Sequence, residues 1–487
     1  MPINSFLYPA TQVVSGYEVA NSLRFNDGSS DYLNRTQGTP TNADKYTLSV
    51  WVKRCGLTTS DYHYIASFDG GSNPREHIRF NDTTDQLTWY FRDSGGTATS
   101  LTTNRLFRDV SAWYHIVCSY DSTQSTSSNR QKIYINGVQE TSFSSSGYVA
   151  QNTDANLNTN SNNIKIGALG VSSPSAGFFD GYMAEYVFID GQALDPTSFG
   201  EFDEDSGIWK PKNVSGLTFG TNGFYLDFEN SGSLGADVSG NSNNFTVNNL
   251  TSADQTPDTC TNNFATLNPL GFAGTIPTFS QGNLNVVVGS GASLYSVSTI
   301  GVSSGKWYVE GELEQAAISG GSYYVDYGFH DRADSLGQSY YVSDGRMFWL
   351  SSWDGKINYR TGGTDTIGLV TGLATLTPGD FFQLYLDMDN ELMYWGKNGS
   401  LLNTTGVSFN GKESLTGEYF FAFGDQYTNG THEWGVNFGQ GSIDGNAVSN
   451  FQDANGYGNF KYNPTVTTDE GSKDFLALCT KNLAEYG

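Results

Sequence analysis

The feature that most constrains the fold of this chain is a two-residue alternation of apolar and polar side chains. Residues 45–54 read KYTLSVWVKR, and every second side chain is apolar: Tyr46, Leu48, Val50 and Val52. Because successive side chains of a strand point to opposite faces, this period predicts a strand with one apolar face. Trp51 interrupts the polar face. We expect Trp51 to pack under a loop or under a connecting segment; contact with a partner chain or with a glycan are the alternatives.

Short strands of this kind recur along most of the chain, whereas long helical patterns are nearly absent. Charged residues are 15% of the chain, aromatic residues are 14%, and there are 57 glycines. This composition suits strands joined by tight turns. We therefore predict an all-β fold in which two antiparallel β-sandwich (jelly-roll) domains are joined by an irregular segment rich in Asn, Ser and Thr. The best helix candidate is the C-terminal stretch KDFLALCTKNLAEYG.

Changes in composition and in strand patterns divide the chain into consecutive segments. They are an extended N-terminal arm (1–20), a first β block (21–205), an irregular connecting segment (206–270), a second β block (271–445) and a C-terminal tail (446–487). The arm carries a single charge, Glu18. It is either a frayed terminus or a peptide that docks on a larger assembly.

Three local patterns predict details of the two blocks. AWYHIVCSYDS is apolar on both faces, which predicts a central strand in which His115 is a satisfied core residue. Asn136-Gly137 predicts a hairpin, because a type I′ turn needs positive φ at both central residues. FFQLYLDMDNELMYW predicts a second hairpin, turning at Asp389-Asn390. We expect one face of that hairpin to carry its apolar side chains: Phe382, Leu384, Leu386, Leu392 and Tyr394.

Charge and cysteine content exclude several classes of function. The formal net charge is −25, which argues against nucleic acid and against anionic lipid as partners. No run is long and apolar enough to predict membrane insertion, and the N-terminus does not read as a signal peptide. The four cysteines lie far apart, so we predict neither a zinc site nor a disulfide framework. Cys118 is expected in the core.

The first block resembles the laminin-G-like, concanavalin-A-like jelly rolls. The residues that carry the resemblance are YTLSVWVKR, SAWYHIVCSYDS, KIYINGVQ, NIKIGA and FFDGYMAEYVFIDGQALDP, in that order. The second block resembles a SPRY domain through GKWYVEGELE, the hairpin GDFFQLYLDMDNELMYWGKNG and the closing WGVNFGQ. SPRY domains are also two bent antiparallel sheets, so the resemblance implies one architecture for both halves.

Nearly the whole chain is similar to virion proteins of marine tailed bacteriophages, which pair an uncharged arm like MPINSFLYPATQVVSGYEVANSLRFND with a jelly roll, a linker like DTCTNNFATLNPL and a C-terminal stretch like FLALCTKNL. The resemblance implies a non-enzymatic surface protein that is made in the host cytoplasm and leaves in the virion by lysis. Other virion proteins are the expected partners, and a homotrimer is the expected oligomer. The residues expected to dock the arm on the particle are Phe6, Leu7, Tyr8 and Pro9.

The same resemblance implies a tail fibre or adhesin that contacts a host-surface glycan or protein. A capsid decoration or head-fibre protein is one alternative, and a glycan depolymerase is another. Glucanases of the concanavalin-like fold need two carboxylates flanking the scissile bond. EFDEDS offers Glu201 and Asp203 but places Ser206 where a third acid is needed, so we interpret it as a solvated loop and predict no catalytic residue.

Two sets of residues are candidates for binding. Sugar binding needs exposed aromatic faces beside polar side chains, and FWLSSWDGKINY supplies Trp349, Trp353, Asp354 and Tyr359. Part of that stretch must be core, and Trp353 beside the DGK turn is the best candidate for exposure. Laminin-G-like domains often hold calcium through loop acids. The resemblance therefore implies Asp121 and Asp180 as calcium ligands, and the alternative is that both are ordinary surface acids.

Overall fold

A computed structural model describes residues 16–57, 61–270, 277–289, 295–316, 318–319, 322–323, 325–331, 346–361, 364–412, 414, 416–424 and 430–487. Nearly all regular structure in these residues is β, and the sheets are built from antiparallel pairs with one parallel exception. The predicted all-β fold class is confirmed.

The first sandwich consists of two packed sheets, here called sheet 1 and sheet 2. Sheet 1 contains, in spatial order, Val138–Gln139, Gln131–Ile135, Trp113–Asp121, Lys45–Arg54, Gly181–Asp190, Ser22–Phe25 and Gln255–Thr256, with Phe224–Leu226 also paired to Gly181–Asp190. Sheet 2 contains Phe143–Ser146, Ala98–Leu106, Gln86–Arg92, Arg75–Phe80, His63–Asp69, Asn163–Ile166, Tyr32–Thr36 and Thr246–Asn248.

The inner faces of sheets 1 and 2 form one hydrophobic core. The alternating side chains predicted to share the apolar face of the strand Lys45–Arg54 all lie in it, namely Tyr46, Leu48, Val50 and Val52. They meet residues of sheet 2 such as Ile78 and Trp89. AWYHIVCSYDS forms the interior strand Trp113–Asp121, as predicted. Asn136 and Gly137 have φ of 49° and 79°, and they join two paired strands as the predicted hairpin.

Trp51 lies on the outer face of sheet 1, where it is buried. Its ring stacks on His115 at 4.8 Å, and it packs in a small cluster with Val19 of the arm and Trp209 of the connecting segment. The Trp209 indole N–H donates to His115 Nδ1 at 2.9 Å, and Ser49 Oγ lies 2.8 Å from His115 Nε2. The prediction that Trp51 packs under the connecting segment is confirmed, and so is the satisfied state of His115.

Residues 206–270 are less irregular than the sequence predicts. Phe224–Leu226 and Gln255–Thr256 extend sheet 1, Thr246–Asn248 extends sheet 2, and Trp209–Pro211 pairs with Gly200–Phe202 in a separate hairpin. The segment therefore contributes strands to both sheets of the first sandwich and is not only a connection to the second. Strands of two or three residues are too short to show a two-residue period, so the sequence reads as loop.

The second sandwich packs sheet 3 against sheet 4. Sheet 3 contains Thr278–Ser280, Asn285–Val288, His432–Asn437, Lys306–Gln315, Phe381–Asp387, Leu392–Lys397 and Ser400–Leu401, with Val407–Ser408 beside Leu392–Lys397 and Leu476–Ala477 parallel to Lys306–Gln315. Sheet 4 contains Tyr295–Val297, Phe420–Gly424, Asp326–His330, Arg346–Ser351, Lys356–Thr361 and Thr364–Val370. Their inner faces share a core that includes Trp307, Trp395 and Trp434.

The predicted hairpin Phe381–Asp387/Leu392–Lys397 is present, but the faces assigned to its second strand are wrong. Leu384 pairs with Trp395 and Leu386 pairs with Met393, and these four side chains lie in the same core. Tyr394 instead lies on the opposite face, against Phe475. Cross-strand partners share a face, so the number of turn residues fixes which set points inward.

The remaining elements are short. Three hairpins are formed by Ile318–Ser319/Ser322–Tyr323, Ser442–Ile443/Asn446–Ala447 and Thr465–Thr468/Gly471–Asp474, and single 3₁₀ turns by Asp27–Ser29, Ser127–Asn129, Asn156–Asn158, Pro196–Ser198 and Ser252–Asp254. The predicted C-terminal helix forms over Thr480–Tyr486 alone, because the residues before it pair as Leu476–Ala477. In the described part of the chain, no helix has the length and apolarity needed to cross a bilayer.

A buried ammonium group ties the first sandwich to the segment that enters the second. Lys53 Nζ donates to Asp258 Oδ2 at 2.9 Å, to Asn263 Oδ1 at 2.8 Å and to the Phe264 carbonyl at 2.9 Å. Neither charged side chain of the pair is exposed. The Tyr182 hydroxyl also donates to the Gly282 carbonyl at 2.9 Å. These contacts set the two sandwiches side by side.

Candidate functional site

The aromatic residues predicted to bind a sugar do not form one surface. Trp349 and Tyr359 are buried, whereas 48% of Trp353 is exposed. Trp349 pairs with Asn358 across sheet 4, so Trp349 and Tyr359 point to opposite faces of the sheet. Tyr359 packs on Phe348 in the core, with ring centroids 4.6 Å apart. The assignment of Trp349 and Tyr359 to a ligand surface is therefore corrected: both are packing residues.

Trp353 and Asp354 do lie at the surface, in the turn between Arg346–Ser351 and Lys356–Thr361. The Asp354 carboxylate forms an ion pair of 2.7 Å with Lys356. This leaves one exposed indole beside a neutralised acid, which is a small platform for a ring. Binding at Trp353 and Asp354 stays a prediction.

The two acids predicted to hold calcium lie at opposite ends of the strand Lys45–Arg54. Asp121 pairs with Lys45 at one end, and Arg54 pairs with Gly181, next to Asp180, at the other. At about 3.3 Å per residue the two carboxylates are roughly 30 Å apart. They are therefore too far apart to be ligands of the same ion, and calcium binding by either acid stays a separate prediction.

Each of these two acids also has a separate electrostatic setting. Burial favours a raised pKa for Asp121, but hydrogen bonds from Thr123 and Gln124 and the ion pair with Lys45 lower that pKa below its ordinary value. The carboxyl of Asp180 is fully buried, and burial raises its pKa well above the ordinary value. Among the described residues, no three Asp, Glu, His or Cys side chains are grouped so that they could hold a metal ion.

The carboxylates weighed as a catalytic pair and the docking residues of the arm are the other positions singled out from the sequence. Glu201 and Asp203 lie on the exposed hairpin Gly200–Phe202/Trp209–Pro211, and both form ion pairs with Lys210. This geometry fits the interpretation of EFDEDS as a solvated loop. Phe6, Leu7, Tyr8 and Pro9 lie outside the described residues, so docking by the arm stays a prediction.

The structure instead shows a cleft where both ends of the chain meet the connecting segment. The cleft has a volume of about 180 Å³. It is lined by residues 18–20 of the arm, by Pro257 and Asn262, by Gln452 and residues 456–459, and by Lys481. The volume is smaller than the roughly 300–1,000 Å³ of pockets for drug-sized ligands, so it fits a single small polar group or one ring.

Buried polar side chains fix the arm wall of the cleft. The Val19 amide donates to Thr261 Oγ1, and the same hydroxyl donates back to the Val19 carbonyl. The Tyr17 hydroxyl lies 3.1 Å from Glu185 Oε2. Glu185 has a φ of 49° at a bulge in the strand Gly181–Asp190, and this bulge turns its carboxyl toward the arm. Burial raises the pKa of Glu185 to about 7.

A buried carboxylate fixes the opposite wall. Asp453 Oδ1 accepts hydrogen bonds from the backbone amides of Asn455 and Tyr457, and Asp453 Oδ2 accepts from the side chain of Asn482. This arrangement joins the 453–457 turn to the helix Thr480–Tyr486. Lys481 of that helix reaches Glu18 of the arm at 2.6 Å, and its ammonium lies 5.4 Å from the centre of the Tyr457 ring.

The cleft therefore brings together an aromatic ring, three amide side chains, an acid and a base. The amides belong to Asn262, Gln452 and Asn459. Groups of this kind bind hydroxyl-bearing ligands through multiple hydrogen bonds and a ring face. None of these residues was a candidate from the sequence, because they come from separate segments and share no spacing pattern.

Comparison with known proteins supports the fold of the first sandwich. Residues 27–197 match the laminin G family model described as the concanavalin A-like lectin/glucanases superfamily. Residues 27–197 therefore have a concanavalin A-like jelly-roll fold. A search of curated proteins finds no match.

Solved structures similar to this chain include the SPRY domain of human HERC1, with 19% identity, 35% of this chain and 96% of that chain covered, and a TM-score of 0.27. Domains LG4-5 of the mouse laminin alpha1 chain have 10% identity, 90% and 93% coverage, and a TM-score of 0.29. A putative carbohydrate binding protein from Bacteroides ovatus has 18% identity, 48% and 59% coverage, and a TM-score of 0.32. All three TM-scores lie below 0.5.

Proposed function

We propose that this chain is a non-enzymatic surface protein of a bacteriophage virion, of the tail fibre or adhesin type, and that it contacts a host-surface glycan. The lectin-type jelly roll at residues 27–197 supports a carbohydrate ligand. The similarity of the arm, linker and C-terminal stretch to phage virion proteins supports the location. The net charge of −25 is consistent with an exposed, soluble particle component that avoids nucleic acid.

The observation that carries the glycan proposal is the cleft beside Tyr457. Tyr457 offers a ring face, and Asn262, Gln452 and Asn459 offer paired donors and acceptors within the same 180 Å³. A sugar presents hydroxyls around its edge and C–H groups on its faces, which matches this mixture. The small volume favours a terminal sugar or a single branch over an extended chain segment. Trp353 is a second surface for the same class of ligand, about half exposed.

The first experiment is a glycan array probed with the full-length chain and its Tyr457→Ala and Gln452→Ala variants. We expect saturable binding to a subset of glycans, weakened roughly two- to tenfold by Tyr457→Ala, since loss of one stacked ring costs about 0.5–1.5 kcal/mol. Gln452 is exposed, so Gln452→Ala tests the cleft without disturbing the core. Tyr486→Ala removes a tyrosine that is 41% exposed and does not line the cleft, and serves as the matched control.

Retained binding in both cleft variants, with loss in Trp353→Ala, would transfer the glycan contact to the turn at residues 351–356. Absence of binding to any glycan would contradict the adhesin proposal and favour a decoration or head-fibre protein. Release of reducing ends from a bound polysaccharide would instead support the depolymerase alternative.

The virion location is tested by immunogold electron microscopy of intact particles with antibodies against residues 271–445. Label on tail fibres or the tail tip supports the adhesin, and label over the head supports decoration. Particles that carry no label would contradict the virion proposal.

A further inference from the structure

An amine, a carboxamide and a carboxyl group meet at the junction of the two sandwiches. Lys53 belongs to the strand Lys45–Arg54, and Asp258 and Asn263 belong to the connecting segment. Lys53 Nζ lies 2.9 Å from Asp258 Oδ2 and 2.8 Å from Asn263 Oδ1. We call these three residues the junction triad. They do not line the cleft, so the chemistry of the triad is separate from ligand binding there.

The amine and the carboxamide of the triad are held close to reacting distance. A carbonyl bond is about 1.2 Å long, so a Nζ–Oδ1 distance of 2.8 Å places Nζ no more than about 4 Å from Asn263 Cγ. Reacting atoms need about 3–3.5 Å, which a small displacement of Lys53 provides. Asn263 Nδ2 donates to the Ser111 carbonyl at 2.6 Å. This hydrogen bond holds the carboxamide with its oxygen, and not its nitrogen, toward Lys53.

The carboxyl group of the triad is placed to take a proton from the amine. Asp258 Oδ1 accepts from the Trp113 indole N–H and from the Phe264 amide, both at 3.3 Å, so Oδ2 faces Lys53. Burial raises the pKa of Asp258 above its ordinary value. Passage of a proton from the ammonium to this carboxylate removes both buried charges, which a water-excluded site favours. The nitrogen of Lys53 then has a free electron pair.

The surroundings of the triad keep water away from the amine but leave an exit for a small product. The side chains of Lys53 and Asp258 are both fully buried. The Tyr182 ring centre lies 5.5 Å from Lys53 Nζ, and Trp113 packs beside that ring. Asn263 is only half-buried. A molecule released from its side chain therefore has a short path to solvent.

We propose that Lys53 and Asn263 become joined by an amide bond between their side chains, with Asp258 carrying the proton. The neutral Lys53 nitrogen attacks Asn263 Cγ, and the bond from Cγ to Nδ2 breaks. Asp258 gives its proton to the departing nitrogen and takes one from the attacking nitrogen. The net products are the new amide and one ammonium ion, so atoms and charge balance without an oxidant or a reductant. The contacts described above are those of the chain before this reaction.

The bond would tie the first sandwich covalently to the segment that enters the second. It closes the chain between residues 53 and 263, and Phe264, the next residue, packs with Tyr308 and Phe460 of the second sandwich. Pulling the two sandwiches apart would then require breaking a covalent bond and not only the contacts of Lys53. This inference does not depend on the proposed ligand or on the virion location.

The test is intact mass spectrometry of the denatured full-length chain, followed by digestion with trypsin. We expect a mass lower than that of the sequence by one ammonia. We also expect peptide 46–54 to be linked to peptide 213–306, without cleavage after Lys53, because trypsin needs a free lysine side chain. The linked peptides are essential to the test, since a succinimide at an Asn-Gly pair such as Asn136-Gly137 loses ammonia as well.

Variants separate the partner from the proton carrier. Asn263→Ala should keep the full mass and release peptide 46–54 unlinked. Asn268→Ala, which changes another half-buried asparagine of the same segment, should retain the link. Asp258→Asn should leave the two side chains unjoined, with circular dichroism to verify the fold. Trp113→Phe removes one hydrogen bond to Asp258 Oδ1 but keeps a ring, so a smaller fraction of its chains should be linked at equal times.

Four outcomes would overturn the proposal. The first is a wild-type chain with the full mass of its sequence. The second is an ammonia loss that maps to an Asn-Gly pair, without linked peptides. The third is a loss of water with a link from Lys53 to Asp258, which would assign the wrong partner to Lys53. The fourth is an undiminished link in Asp258→Asn, which would remove Asp258 from the reaction.

Discussion

The buried carboxyl of Glu310 shows how a single residue organises the tail of the chain. It accepts hydrogen bonds from the Tyr308 hydroxyl, the Asn437 amide and the backbone amides of Lys461 and Tyr462. Glu310 is fully buried, and burial raises its pKa to about 7 despite these donors. The tail therefore attaches to sheet 3 through an acid that titrates near neutrality.

We expect Glu310→Gln to remove a pH dependence of stability. Below about pH 4.3, the ordinary pKa of Glu, the carboxyl is protonated in both folded and unfolded chains. Between that value and the folded pKa of about 7, the folded chain binds the proton more tightly, so stability falls as pH rises. Unfolding in urea at pH 5.5 and pH 8 should show wild type losing more stability than Glu310→Gln over this interval.

Glu418→Gln, which changes an exposed acid of the same sandwich, is the control and should follow the wild type. The comparison between variants matters because burial lowers the pKa of His63, His77 and His115 to about 3, and these residues change stability with pH in the opposite direction. If the stability of Glu310→Gln and of the wild type depended equally on pH, this would contradict the raised pKa of Glu310.

At the scale of elements, the hairpin Gln131–Ile135/Val138–Gln139 depends on a close packing contact as well as on its turn. Gly137 has a φ of 79°, and a Cβ there would lie 2.4 Å from the Trp209 ring. Trp209 in turn covers His115 and belongs to the cluster around Trp51. The hairpin tip, the connecting segment and the central strand thus form one packed unit.

Gly137→Ala should cost more stability than Gly207→Ala, although both residues have positive φ. Gly207 has a φ of 70° with nothing near a new Cβ, so alanine there should cost about 1–2 kcal/mol of backbone strain. At position 137 we expect overpacking against Trp209 to add about 1–3 kcal/mol. Denaturant midpoints of the two variants measure the difference, and equal midpoints would show that Trp209 moves aside freely.

On the scale of the whole molecule, the junction of the two sandwiches contains the pair Lys53–Asp258. Both side chains are fully buried, and Lys53 satisfies its donors on the segment 258–264. Phe264, which follows this pair, packs with Tyr308 and Phe460 in the second sandwich. An ion pair of this kind contributes little net stability but is costly to break by removing one partner.

Lys53→Met should therefore destabilise the chain by about 3–5 kcal/mol, because Asp258 would stay buried without its cation. Lys210→Met breaks the surface pairs with Asp203 and Glu201 and should cost far less stability than Lys53→Met, because water screens both pairs. Urea unfolding, followed through the whole transition, gives the free energy of unfolding of each variant relative to the wild type. Similar costs for both variants would mean that water reaches Asp258 when Lys53 is removed.

The sequence by itself determined the features that depend on neighbouring residues. The alternation in residues 45–54 predicted the strand and its apolar face, Asn136-Gly137 predicted a hairpin, and the single apolar ring on a polar face predicted a cover for Trp51. Each of these follows from side-chain direction and allowed φ values, which a few adjacent residues set.

The tertiary structure alone decided the features that depend on residues distant in the chain. The register of its hairpin decides on which face Tyr394 lies, and the packing of sheet 4 decides that Trp349 and Tyr359 are buried. The cleft required segments that lie far apart in sequence to meet. Local patterns carry the period of a strand but not the identity of its partner, because pairing is chosen by burial summed over the whole sandwich.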